Sequence, residues 1–182
     1  MEYSTKNIEK YLERFAKDVI KKSKGILKSK KGETKLANSI KFKVTADEKG
    51  FTTSFYMDDY GTYLDEGVSG NKVKQSFTDY KGKKRVSSYS YTTKGPPIDV
   101  LSKWIKKKGI KPKGLGRGRS KTTGQFVSGF AYLISKKIKR EGIKSLSFFQ
   151  QPLGVEYIKL QTELLKILKL DIQTYLVTFT KK

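Results

Sequence analysis

The sequence predicts an α+β protein, a small antiparallel sheet with a β-hairpin packed against several helices and carrying long basic loops. Three observations predict it. Period-two alternation of apolar side chains flanks a turn near residue 48. Helical spacing of apolar residues recurs in at least three other segments. And the 182 residues are 36% hydrophobic and 12% aromatic, enough apolar surface to offset the entropy of ordering one core. No internal repeat divides the chain. It reads as a single domain over 1–182, with extended loops at about 68–95 and 109–124 and a C-terminal extension over about 154–182.

The elements follow in order. Over Ser4 to Lys24, Ile8, Leu12, Phe15 and Val19 recur at helical spacing, with Ala16 and Ile20 beside them and Lys and Glu on the other face. Ser4 or Thr5 suits the cap. Gly25 and the lysine-rich run to Gly32 are expected to end this helix, whose stripe serves core packing or docking. Ile40, Phe42 and Val44 then alternate with Lys41, Lys43 and Thr45. Phe51, Thr53, Phe55 and Met57 alternate with Thr52, Ser54 and Tyr56, and Asp47-Glu48-Lys49-Gly50 closes the hairpin. From Asp58 to Gly67 the leading acids and the trailing glycine fit one short helix or a helical turn.

Val68 to Gly95 is polar, basic and rich in Tyr and Ser. It fits either an extended hairpin, Ser76 to Tyr80 and Arg85 to Thr92 around Lys81-Gly82-Lys83, or a loop. Pro96-Pro97 opens a helix in which Ile98, Leu101 and Ile105 share a face, with Trp104 alongside and an end near Gly109. Glycine, proline and positive charge over Gly109 to Gly124 argue for a mobile loop. A second helix is expected from about Gln125 to Glu141, with Phe126, Phe130, Leu133, Ile134 and Ile138 inward. After a turn at Ser147-Phe148-Phe149 and a break at Pro152, a third is expected from about Val155 to Leu168. The β-rich run Tyr175-Leu176-Val177-Thr178-Phe179 predicts a terminal strand over about Ile172 to Phe179.

Charge dominates the composition. Lys and Arg number 40 against 17 Asp and Glu, a formal net charge of +23. Such an excess attracts nucleic acid, an anionic membrane or acidic protein surfaces, and it equally fits a solvated lysine-rich surface. The chain has neither His nor Cys, so His-based triads, Cys nucleophiles, disulfides and zinc sites of the usual kind are impossible. Met1 to Leu12 is polar and charged, unlike a signal peptide, and no apolar run approaches the ~20 residues of a membrane span. The expectation is a soluble protein made in a cytoplasm, with no membrane partner.

Little chemistry is legible. Asp58, Asp59, Asp65 and Glu66 form an acidic cluster that suits acid–base catalysis or Mg²⁺, or else helix-end charges pairing with lysines. No base, nucleophile or oxyanion donor accompanies them. Gly114-Leu115-Gly116-Arg117-Gly118 lacks both the Walker spacing and the preceding buried strand of a dinucleotide loop. The expectation is no enzyme and no cofactor. Two basic stretches remain, Lys21 to Lys31 and Lys103 to Lys121, the second with Trp104 and Phe126 at its ends. They fit phosphate contact without sequence preference.

Several phrases, taken in order, carry a resemblance: Leu36-Ala37-Asn38-Ser39-Ile40 before the hairpin; Tyr60, Tyr63, Leu64, Asp65, Glu66 and Gly67 after it; then Pro96, Pro97, Ile98, Leu101, Trp104, Ile105, Lys108, Gly109 and Ile110. Ala131, Tyr132, Ile134, Lys137, Ile138, Glu141, Gly142 and Ile143 follow, and Phe148, Phe149, Pro152 and Leu153 end the match. This order resembles the tail-completion, neck and head–tail connector proteins of tailed bacteriophages, over roughly Leu36 to Leu153. The chain departs from that pattern in its tail beyond Leu153 and in the length of 68–95.

The resemblance implies a structural virion subunit, assembled as a ring oligomer between the portal side of the capsid and the tail. Its partners would be copies of itself, portal or adaptor proteins, tail proteins and, without sequence specificity, genomic DNA. It implies no catalytic residues and no metal. The alternative is a non-specific nucleic-acid-binding protein using the basic loops. On either reading, contacts to a neighbour or a polyanion fall to Lys83, Lys84, Arg85, Tyr89, Tyr91, Lys111, Lys113, Arg117, Arg119 and Lys121. A strongly positive monomer repels itself, which would hold back assembly until an acidic partner is met. Stable rings of the isolated protein at physiological salt would exclude that idea.

Overall fold

The computed structural model describes residues 6–32, 34–47, 50–110, 117–119 and 126–180; for 6, 117–119, 126–128, 174, 175 and 177–180 it describes backbone alone. In chain order the first elements are α1 (Lys6–Lys31), α2 (Lys35–Ser39), β1 (Lys41–Asp47), β2 (Gly50–Tyr56), α3 (Tyr60–Glu66), β3 (Val68–Ser69), β4 (Ser76–Thr78) and β5 (Lys84–Val86). Then come α4 (Ile98–Lys107), β6 (Arg117–Arg119), β7 (Phe126–Ser128), α5 (Gly129–Glu141), β8 (Gly142–Ile143) and α6 (Gln150–Thr180). The chain is mixed helix and strand, α+β, and its strands pair two by two. It forms two compact units, one of Met1–Gly61, Thr78–Lys84 and Ser147–Lys182, the other of Thr62–Phe77 and Arg85–Leu146.

In the first unit α1 packs against α6. Ile8, Leu12, Phe15, Ala16, Val19, Ser23 and Leu27 form its buried stripe. The helix does not stop at Gly25. A glycine in a helix costs about 1 kcal/mol, whereas burying Leu27 beyond it returns about 1.5–3 kcal/mol. Gly25 itself sits on the open side, and the helix ends instead at Gly32, whose φ of 75° suits a residue without a Cβ. Thr34 caps α2 by accepting from the Ala37 N–H at 3.3 Å, and Leu36 and Ile40 are buried. The hairpin pairs Phe42 with Phe55 and Val44 with Thr53, as the alternation predicts. Phe55 joins an edge-on aromatic chain, 6.3 Å from Phe15 and 5.2 Å from Phe149.

The terminal strand expected over Ile172 to Phe179 is instead the end of α6. Strand preference is strongly context-dependent, and a helix already under way extends without a new nucleus. Pro152 likewise breaks nothing. It lies in the first turn of α6, where backbone N–H groups have no partner within the helix to lose. The third helix therefore starts at Gln150 rather than Val155 and runs to Thr180 rather than Leu168.

Glu156 of α6 is buried and accepts from Lys22 of α1 and, at 3.1 Å, from Lys159. Burial works to raise its carboxyl pKa, but the hydrogen bonds from Lys22 and Lys159 and their charges outweigh it, so the group lies below the ordinary carboxylate value. A depressed folded pKa stabilises the fold above the unfolded value, about 4.3, and that contribution is lost as pH falls through the folded pKa. Glu156→Gln should cost about 1 kcal/mol near neutrality, because Lys22 stays half-solvated. It should also flatten the acid limb of Tm against pH. An unchanged acid limb would show that the pair does not carry this dependence.

In the second unit β3 and β8 pair antiparallel, Val68 with Ile143 and Ser69 with Gly142. The backbones cross so closely here that side chains have no room. A Cβ on Gly67 would lie 2.7 Å from the Ile143 carbonyl oxygen, and one on Gly142 would lie 2.6 Å from the Gly70 nitrogen and nearer still to the Val68 oxygen. Gly67 and Gly142 both have φ of 80°. α4 begins after Pro97, buries Ile105, and ends where Gly109 turns to φ 66° and donates to the Lys106 carbonyl.

α5 packs against α4. It starts at Gly129, not Gln125, because Phe126–Ser128 pairs as a β-ribbon with Arg117–Arg119, which lies in the segment expected to be a mobile loop. Its buried face is also rotated from expectation. Ala131 and Ser135 are buried, Phe130, Ile134 and Ile138 are half-buried, and Leu133 points outward at 47% exposure. Small residues four apart let the chain at Gly95–Pro96 lie against the helix, where the Ser135 hydroxyl donates to the Pro96 carbonyl at 2.7 Å.

Candidate interaction surfaces

Lys83, Lys84 and Arg85 are exposed on the β4–β5 hairpin. Asp79 builds the turn that carries them. Its buried carboxylate accepts from the Lys81 N–H at 3.0 Å and the Lys83 N–H at 2.8 Å, while its own N–H donates to the Lys83 carbonyl at 2.9 Å. Gly82, at φ 78°, closes the turn. Next to it the Tyr80 N–H donates to Gln150 at 2.9 Å, and its ring meets Tyr157 edge-on at 5.3 Å. Gly154 permits this approach, since a Cβ there would stand 2.9 Å from the Tyr80 carbonyl. Between the turn and α6 lies an open cleft of about 810 Å³, lined in part by Tyr80, Lys81, Gln150, Val155, Tyr157 and Ile158.

Tyr89 and Tyr91 are half-buried parts of the second unit's framework. The Tyr89 hydroxyl donates to Thr62 at 3.2 Å and its ring lies 4.3 Å from that of Tyr63. Tyr91 donates its N–H to the Ser69 carbonyl at 2.8 Å, and burial raises its phenol pKa. Arg117 and Arg119 lie on β6, in register with Ser128 and Phe126. Lys111, Lys113 and Lys121 lie outside the described residues.

A basic surface absent from the sequence reading sits on α5. Lys136, Lys137, Lys139 and Arg140 surround a hollow of about 480 Å³ with Leu133 and Lys72. The α5 run alone reads as an ordinary solvated helix face. Lys72 joins it because residues 71–73 cross the end of the helix, where Asn71 donates its N–H to the Lys139 carbonyl at 2.9 Å and Lys72 to that of Arg140 at 3.0 Å. Those bonds satisfy helix-end acceptors, and the lysine sits where a helix C-terminus favours positive charge. On α4, Trp104 is 45% exposed among exposed Lys103, Lys106, Lys107 and Lys108.

Asp58, Asp65 and Glu66 each bond a serine. The Asp58 N–H donates to Ser39 at 3.1 Å, the Asp65 carbonyl accepts from the Ser145 hydroxyl, and the Glu66 carboxylate accepts from Ser88 at 2.9 Å. Among the described residues no three Asp or Glu side chains gather to hold a metal ion, and no helix is long and apolar enough to cross a membrane. Comparison of the chain with models of known protein families, with curated proteins and with solved structures finds no match.

Proposed function

We propose that this chain is a non-enzymatic structural protein of a tailed-phage virion, a neck or tail-completion subunit made in the bacterial host and working in a ring between portal and tail. The observation that supports it most directly is the pairing of the named strands two by two among the described residues. β1–β2 and β6–β7 each stand as a ribbon with no third strand among the described residues. Such ribbons leave backbone donors and acceptors along their outer edges, and these accept a strand or loop from a neighbour. The ordered phrases shared with the connector proteins point the same way, and their residues have physical work here. Leu36, Ile40, Ile105, Ala131, Phe148 and Phe149 are buried, and Gly67 and Gly142 form the tight crossing.

The test is electron microscopy of the protein alone and mixed with its phage's portal. Closed rings seated on the portal are expected. A monomer that ignores the portal would overturn the proposal.

A second reading, non-specific nucleic-acid binding, is favoured by Trp104 exposed among four lysines, which pairs a stacking ring with phosphate-binding charge. On that reading Trp104→Ala weakens single-strand binding by about 1–3 kcal/mol, and affinity for DNA falls steeply between 50 and 200 mM salt, roughly as counterions are released. Flat salt dependence in an electrophoretic shift removes it.

A further inference from the structure

α6 is apolar on two faces. Its inner side packs on α1. Its outer side exposes Val155, Ile158, Leu165 and Ile172 at 45%, 65%, 73% and 56%. Their spacing of three, seven and seven residues places Ile158, Leu165 and Ile172 at one position of a heptad and Val155, Thr162 and Lys169 at its companion. That period describes a narrow seam, which Leu176 continues and which Leu170, also exposed, lies outside, the shape that receives another helix. A helix lying on lipid presents a broader apolar arc, without a lysine inside it.

Charge identifies the occupant. The acids of α6, Glu156, Glu163 and Asp171, are buried or half-buried; the exposed side carries Lys159, Lys166 and Lys169. Lys159 and Lys166 reach back to Glu156 and Glu163, but both are largely solvated, and such pairs leave the ammonium open to a better partner. A second copy would set lysine against lysine along the seam, on a chain already at +23. An acidic helix would meet them with carboxylates. Val155 and Ile158 also line the cleft beneath the Tyr80 turn, so the seam opens at one end into a recess for the partner's end.

We propose that the outer face of α6 docks an amphipathic acidic helix of another protein, packed on Ile158, Leu165 and Ile172 and flanked by Lys159, Lys166 and Lys169. This holds whether or not the chain forms rings. The test uses the full chain and a fluorescent synthetic peptide of about four heptads, with leucine at a and d and glutamate at e and g. A scrambled peptide of the same composition controls for bulk charge.

The heptad peptide should bind at least about tenfold more tightly than the scrambled one, and the double variant Ile158→Ser/Leu165→Ser should lose that advantage. Both side chains are well exposed, so the variant's melting curve should match the parent's. Equal binding of the two peptides, or binding indifferent to the double variant, overturns the proposal. So does concentration-dependent dimerisation, or sedimentation with phosphatidylserine vesicles, that the same variant abolishes. The first would assign the face to a second copy and the other to lipid.

Discussion

Gly142→Ala will destabilise the second unit by about 3 kcal/mol or more. Two costs add. The residue holds φ at 80°, where an L side chain is strained by about 1–2 kcal/mol. Its added Cβ would also run into the Val68 carbonyl, the Gly70 nitrogen and, at 2.9 Å, the Ser69 carbonyl carbon. All are backbone atoms of the ladder that holds β3 to β8, so no side chain can swing aside. Gly109→Ala isolates the first cost, because Gly109 has φ of 66° and nothing within 4 Å of its Cβ. Urea denaturation of the two variants should place Gly109→Ala about 1–2 kcal/mol below the parent and Gly142→Ala well below that. Equal losses would mean that the β3–β8 crossing opens without penalty.

Phe148→Ala should remove about 3–5 kcal/mol from the first unit. Among the described residues Phe148 is the largest fully buried side chain, at 0% exposure, and follows a turn at Ser147 whose φ of 45° fixes where it enters. Truncation takes away the transfer energy of a phenyl ring and leaves a cavity that its neighbours fill only in part. Leu165→Ala, on an exposed position of α6, should stay within about 0.5 kcal/mol of the parent. Thermal denaturation separates the two. A loss below about 1 kcal/mol for Phe148→Ala would show that the site collapses onto itself.

Most of the elements were legible, because their signals are local. The hairpin announces itself through Phe42, Val44, Phe51 and Phe55, whose alternation fixes which side chains share a face. Pro97 and Gly109 bracket α4 as proline and glycine bracket helices generally. The reading failed where distant packing outvotes local preference. Gly25 does not end α1 because Leu27 is buried beyond it, and Tyr175 to Phe179 stay helical because α6 began at Gln150 and meets nothing that stops it. The surfaces were less legible than the elements. Lys83 and Lys84 were readable as an exposed turn, but Lys72 joins the α5 patch only through residues 71–73 crossing a helix end.

The α1–α6 pairing also orders events on the ribosome. Roughly 120 residues separate the end of α1 from the start of α6. At about 5–20 residues per second, α1 waits roughly 6–24 s before α6 can pack against it. Residues 85–146 of the second unit are synthesised within that interval. Throughout that interval α1 has the hairpin but not α6 against it, the kind of partly covered stripe that holding chaperones bind, and a translational pause before Gln150 would prolong that exposure.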